Sequence, residues 1–279
     1  MPEDVRTRES KAQEMEWWIA YPAIGVVAGF FAGLLGIGGG SIIVPLLVGV
    51  YAGQGLPRDQ ILHLAVGTGM GTILITSVSS VRAHAMRGAL RWDIAKAMTP
   101  GILFGGLIGS SLTRLIPARA FVVFFAIVIY VAAVQTLIEF KPAASRGLPG
   151  PVGMFAAGFG ISVVAALTAV GGAFMSIPFM LWCGVPLLPA IGIAAMIGFP
   201  IAFAGSIGYV LAGLGQSGLP AWSLGYIYVP GLLGVTVASV LTAPLGAAAA
   251  HRMPTRRLRQ VFCVVMMVLA TRVLWKVWH

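Results

Sequence analysis

The chain has 279 residues, of which 58% are hydrophobic and only 9% charged, against about 25% charged residues in an ordinary soluble domain. Its 18 Lys and Arg outnumber 8 Asp and Glu and give a formal charge of +10, but the basic residues sit in short groups between apolar runs and form no continuous basic face. A cytosolic enzyme, a disordered chain and a nucleic-acid-binding domain are excluded, and the class that remains is an all-α polytopic membrane protein.

Residues 1–16 form a polar N-terminal tail that carries five of the eight acidic residues: Glu3, Asp4, Glu9, Glu14 and Glu16. With no basic stretch leading into a short apolar core, it does not read as a cleavable signal. Trp17, Trp18 and Tyr21 follow, as an interfacial aromatic anchor would. Eight hydrophobic segments then run over 18–52, 62–86, 93–113, 119–140, 151–182, 187–213, 223–249 and 258–278. A spanning helix needs about 20 residues. Six segments fit that length; the first and fifth are too long for one crossing, and both have glycine in the middle. Trp92, Trp222, Tyr226, Tyr228, Trp275 and Trp278 cluster near segment ends and read as further interfacial anchors.

The segments form two homologous repeats of four. Gly36-Ile37-Gly38-Gly39-Gly40-Ser41-Ile42-Ile43-Val44-Pro45 aligns with Ala169-Val170-Gly171-Gly172-Ala173-Phe174-Met175-Ser176-Ile177-Pro178. Ala65-Val66-Gly67 aligns with Ala190-Ile191-Gly192, which sets His84 opposite Tyr209 and Thr68 opposite Ile193. Trp92 precedes Pro100-Gly101 as Trp222 precedes Pro230-Gly231, and Ile116-Pro117-Ala118-Arg119 matches Met253-Pro254-Thr255-Arg256. The expected organisation is repeat 1 over 17–140, a linker over 141–150 and repeat 2 over 151–279. Duplicated halves of this size are typical of secondary transporters.

Charge decides between parallel and inverted halves. If segments 1 and 5 are re-entrant, turning back at their glycines, Arg82, Arg87, Arg91, Lys96, Lys141, Arg146, Arg252, Arg256, Arg257 and Arg259 share one side. Only Arg58, Arg114, Arg119, Arg272 and Lys276 lie on the other, once the tail is left out. Single crossings would divide the charge almost evenly, so the positive-inside rule favours inverted repeats.

Glycine runs cost about 1 kcal/mol per residue in a helix interior, and Pro45 and Pro178 follow them. Both segments are therefore expected to break. At membrane depth a break is tolerated where it is buried in protein or lines a cavity. An unwound glycine stretch offers N–H groups and a helix N-terminus to an anion without a cationic side chain. The expected substrate site is built from Gly38, Gly39, Gly40 and Ser41 on one side and Gly171, Gly172 and Ala173 on the other, with Thr68, His84 and Tyr209 nearby. Thr168 and Ser176 are further polar candidates at the breaks. The spaced glycines Gly25, Gly29 and Gly33, and Gly101, Gly105 and Gly109, read instead as close helix packing. His63, His251 and His279 lie near segment ends and suggest nothing. There is no phosphate-binding loop, metalloprotease motif or arginine ladder, so no enzymatic activity, cofactor or metal is expected. The coupling ion, H+ or Na+, is left open, as is a homodimer. The expected partners are a small anionic substrate and membrane lipid, with no nucleic acid.

The stretch from Ala28-Gly29-Phe30-Phe31-Ala32-Gly33 through Gly38-Gly39-Gly40 to Pro45, its echo over 158–178, Ala65-Val66-Gly67-Thr68, the run from His84 and Gly88 to Trp92, and Trp222 to Pro230-Gly231 resemble the TauE/SafE family of sulfite-exporter-type permeases. The resemblance implies a multi-pass protein of the cell inner membrane that moves a small sulfur oxyanion such as sulfite or thiosulfate, or an organosulfonate. An anion channel, or a transporter of another small organic anion, is the competing reading. Ala173 and Phe174 stand where the first repeat has Gly40 and Ser41, so an asymmetric site is expected.

Overall fold

The computed structural model describes residues 18–32, 39–85, 91–138, 147–250 and 255–278; the side chains at 83–85, 247–250, 255–259 and 277–278 are not among them. The chain is almost entirely helical. In order, the helices are α1 (Trp18–Ala32), α2 (Gly40–Gly53), α3 (Arg58–Ala85), α4 (Trp92–Leu112), α5 (Ala118–Leu137), α6 (Pro151–Thr168), α7 (Ala173–Trp182), α8 (Leu187–Gly213), α9 (Val229–Ala250) and α10 (Thr255–Trp278). A short 3-10 turn, Thr113–Leu115, joins α4 to α5. Among the described residues, α3, α5, α6, α8 and α9 are long and apolar enough to cross a membrane, while α1, α2 and α7 are shorter apolar helices.

Burial is arranged for lipid. Large apolar side chains such as Ile127, Val131, Val152, Leu241 and Val264 are exposed on the outer helix faces, while Ser41, Thr68, Thr72, Thr168 and Ser176 are buried. A water-soluble core would reverse this pattern. The chain is an integral membrane protein.

Helix directions follow from which residues touch. Gly67 and Met70 of α3 lie against Tyr209 and Gly205 of α8, so these two helices run antiparallel. Tyr130 of α5 meets Thr271 of α10 at 2.6 Å, and the Cys263 thiol of α10 donates to the Ala133 carbonyl, again antiparallel. By contrast Gly101, Gly105 and Gly109 of α4 lie in register against Phe155, Phe159 and Val163 of α6, so α4 and α6 are parallel. Gly25 and Gly29 of α1 pack the same way against Val235 and Ser239 of α9, and the Ser239 hydroxyl donates to the Gly25 carbonyl at 3.0 Å. A Cβ at most of these glycines would overlap neighbouring backbone. Small residues let the helix axes approach closely where no hydrophobic drive exists between helices in lipid.

α2 and α7 each run opposite to the helix that precedes them. α9 runs parallel to both α1 and α3, since Gly67 and Gly71 of α3 meet Tyr226 and Leu232 in order. α2 opposes α3: Gly40 faces Ile73, Val44 faces Gly69, and Tyr51 reaches back to Thr68. α2 therefore runs opposite to α1, and Gly39 rests 3.3 Å from the Ala28 carbonyl by the position its Cβ would take. In the second repeat α6 runs with α4, and α4 runs with α8, because Gly106 meets Ala204 and Ser110 meets Gly208. α7 starts midway along α8, with Gly172 against Ile197 and Ile201, and ends beside the first residue of α8, so it runs opposite to α6.

One expected element needs correction. The segment over 223–249 is not a single helix: Ser223–Leu224 pairs antiparallel with Ile227–Tyr228 before α9 begins. Gly225, at φ +56, makes the turn, where a residue without Cβ is favoured. The hairpin folds inward. Tyr226 donates its backbone N–H to the Tyr209 carbonyl at 3.1 Å, and its own carbonyl lies against Gly67. Tyr226 is therefore a packing residue, whereas Trp18, Trp92 and Trp222 are exposed.

Candidate functional site

α6 stops at Thr168 because Ala169 adopts left-handed backbone, φ 50, followed by Gly171 at φ +79. A left-handed non-glycine residue costs roughly 1–2 kcal/mol, and such strain concentrates at functional positions. α7 then starts at Ala173 with Gly172 as its N-cap, and α2 starts at Gly40 with Gly39 as its N-cap. Neither cap makes a side-chain hydrogen bond, and neither first turn holds an acidic residue. Each helix start therefore keeps its positive end uncompensated by side chains. Pro45 and Pro178 occupy the sixth position of their helices, so the two short helices are built alike.

The two breaks meet. Gly40 lies directly against the Ala169 carbonyl, close enough that any Cβ would collide with it. Gly69 of α3 makes room beside them, facing Val44 and the Ala169 Cβ. Ser41 and Ser176, one in the first turn of each short helix, are both fully buried, and neither hydroxyl has a hydrogen-bond partner. A buried hydroxyl without a partner costs about 1–3 kcal/mol; these two stand at the second and fourth positions of their helices, and Ser162, Ser206 and Thr236 carry such hydroxyls elsewhere among the described residues.

The remaining expected residues are distributed unevenly. Tyr209 is buried and donates its hydroxyl to the Ala166 carbonyl at 3.1 Å, three residues before the break. Thr168 is spent on its own helix, donating to the Val164 carbonyl at 2.9 Å, as most intramembrane hydroxyls are. Gly172 is surrounded by Ile161, Ile197 and Ile201, so the start of α7 meets apolar bulk at this point. Gly171 and Ala173 are half-buried around it. Gly38 lies outside the described residues, as does the side chain of His84 at the end of α3.

Thr68 opens on a cluster that composition conceals. Its Oγ1 accepts from the Tyr51 hydroxyl at 3.3 Å and from the Tyr228 backbone N–H at 3.0 Å. The Gln54 amide donates to the Tyr21 hydroxyl at 2.7 Å. The rings of Tyr21, Tyr51 and Tyr228 stand 5.8–6.5 Å apart, packed around the space that Gly231 leaves. In the alignment expected from the sequence, the positions of Tyr21, Tyr51, Tyr228 and Thr68 would correspond to Met154, Gly184, Met98 and Ile193. Hydroxyls thus gather at Thr68, and thioethers and aliphatic carbon stand at the positions expected to correspond. Tyr21 and Tyr228 lie near segment ends, where aromatics read as interfacial anchors; that general rule concealed them.

A cavity of about 700 Å³ lies away from the breaks, at the start of α3 and the end of α4, lined by Asp59, Gln60, His63, Thr113, Arg114 and Tyr226 among others.

The model of the family described as sulfite exporter TauE/SafE matches residues 21–273. A probable membrane transporter protein of Haemophilus influenzae is 32% identical over 257 residues, covering 91% of this chain and 96% of its own length. A probable membrane transporter protein of Methanocaldococcus jannaschii is 25% identical, over 83% of this chain and 85% of its own. A third, from Bacillus subtilis, is 33% identical over 42% of this chain and 40% of its own. No solved structure matches significantly.

Proposed function

Because this chain belongs to the sulfite exporter TauE/SafE family, we propose that it is a secondary transporter carrying a small sulfur-containing oxyanion or organosulfonate across the inner membrane. The halves 17–140 and 151–279 act as inverted repeats, a reading supported by the antiparallel pairing of α3 with α8 and α5 with α10. The side rich in Arg82, Arg91 and Arg256 is cytoplasmic by the positive-inside rule. The anion sits where α2 and α7 begin, between Gly39, Gly40 and Ser41 and the opposing Gly171, Gly172 and Ala173. Ser41 and Ser176 donate to it, and the first-turn N–H groups supply the favourable field. Thr68 and its tyrosines line one approach. Rocking of one half against the other parts Gly40 from Ala169 to admit the anion, and their contact closes the path afterwards. Closure at that contact favours a transporter over an open channel.

The observation that carries this reading is the pair of fully buried, unpartnered hydroxyls in the first turns of two uncapped helices, the first of which begins against the Ala169 carbonyl, four residues before the second. Ser41→Ala and Ser176→Ala test it in proteoliposomes loaded for thiosulfate counterflow. A hydrogen bond to a charged group is worth about 1.5–3 kcal/mol, so each substitution should weaken apparent affinity by roughly 10–100-fold. Thermal stability should hold or rise, because an orphaned hydroxyl is removed. Normal counterflow in the double variant would overturn the site, and a loss of stability in step with flux would assign both serines a structural role.

A further inference from the structure

We propose that His63 is a proton-binding site whose protonation is coupled to anion binding at the helix breaks. His63 is buried in α3, and both of its ring nitrogens face carbonyl oxygens: Nδ1 lies 3.0 Å from the Asp59 oxygen and Nε2 lies 3.1 Å from the Thr113 oxygen. A carbonyl only accepts. Neutral imidazole has one N–H, so it satisfies one of these oxygens and turns a lone pair toward the other. Imidazolium donates to both. Both ring nitrogens therefore donate to the carbonyls they face only in the protonated form.

The surroundings suit a group that gains and loses a proton. The ring stacks on Tyr226, centroids 5.1 Å apart, and contacts Phe121 at 4.9 Å. This enclosure opposes the charge that the two carbonyls favour. Water reaches the site through the 700 Å³ cavity. The charged or titratable groups facing that cavity are Asp59 of α3, Arg114 of the 3-10 turn and Tyr226 of the hairpin; the segment after α8 contributes the neutral Gln216, and α5 contributes only Ala118 to the cavity and Phe121 to the ring.

Two physical links tie His63 to its surroundings, one of them leading to Thr68, next to the Gly69 that faces the breaks. Through Thr113 it ties α3 to the turn between α4 and α5. Through Tyr226 it supports the hairpin that delivers the Tyr228 N–H to Thr68, five residues further along α3. Protonation tightens both and holds the hydroxyl-lined approach in place. The added positive charge also offsets that of the arriving anion. The proton comes from water in the cavity, and no bond other than N–H forms or breaks.

The coupling rests on the transport reading above, and its test separates the two. Thiosulfate is the probe, because it stays fully ionised across the range where sulfite itself titrates. For the full chain in lipid nanodiscs, wild-type thiosulfate affinity should weaken by up to about tenfold per pH unit above the His63 midpoint, with a proton taken up on binding in weak buffer. His63→Gln should bind with an affinity flat in pH and take up no proton. Independently, ¹⁵N-histidine NMR should show a resonance, absent from the variant, that passes from imidazolium to neutral imidazole as pH rises. Unchanged pH dependence in His63→Gln, or a His63 that stays neutral down to pH ~5, would overturn the proposal. Absence of thiosulfate binding at every pH, with His63 still titrating, would overturn the coupling through failure of the transport reading.

Discussion

A valine at position 40 is expected to stop anion flux while leaving the protein in the membrane. Any Cβ at Gly40 would collide with the Ala169 carbonyl, and it would also lie 2.7 Å from the Ile73 Cδ1. The first of these atoms is backbone, held by the left-handed turn that ends α6, so it cannot swing aside as a side chain would. Overpacking of this kind costs about 1–3 kcal/mol. Placed on a contact that the proposed rocking opens and re-forms, that cost corresponds to a loss of flux of roughly 5–150-fold. Gly49→Val, in the same helix with no atom within 4 Å of its Cβ position, should transport normally. Thiosulfate counterflow in proteoliposomes measures both. Wild-type flux from Gly40→Val would show that the meeting of the breaks plays no part in transport.

Thr68→Val should produce the largest loss of stability. Valine keeps the shape and removes the oxygen, and two buried donors, the Tyr51 hydroxyl and the Tyr228 N–H, then lose their acceptor. Each unsatisfied buried donor costs about 1–3 kcal/mol, which places the total on the order of 2–6 kcal/mol. The hairpin over 223–228 would lose its tie to α3, and the tyrosine-lined approach would lose its shape. Thr68→Ser restores the oxygen and should recover most of the melting temperature and flux, as read by intrinsic fluorescence during heating and by counterflow. A valine variant as stable as wild type would reduce the cluster to ordinary packing.

Much of the architecture is legible in the residues because backbone cost and charge placement act locally. Gly38-Gly39-Gly40 and Gly171-Gly172, each with a proline soon after, identify helix breaks from propensity alone. The glycine stripes of α1 and α4 identify close packing by their spacing. The uneven distribution of arginines favours a chain that turns back, which is the direction the contacts of α2 and α7 follow. What escapes the sequence depends on partners distant along the chain. His63 looks like an inert residue at a segment end until Thr113, fifty residues on, supplies the second carbonyl. Tyr51 and Tyr21 become polar lining only when Thr68 and Gln54 reach their hydroxyls. The hairpin over 223–228 has the same apolar composition as a helix, and only the positive φ of Gly225 and the close approach of Gly67 and Gly213 reveal it. Ser41 and Ser176 are candidates in the sequence by their place beside the glycines; their lack of any partner is visible only in three dimensions.

The central claim is that an anion binds between the starts of α2 and α7. A structure of the protein in lipid with selenite, a heavy-atom analogue of sulfite, tests it most directly through the anomalous signal of selenium. The account predicts a peak within hydrogen-bonding distance of the Ser41 and Ser176 hydroxyls, with Gly40 drawn away from Ala169. A peak confined to the cavity beside His63 and Arg114, with the Gly40 contact still closed at saturating selenite, would contradict it.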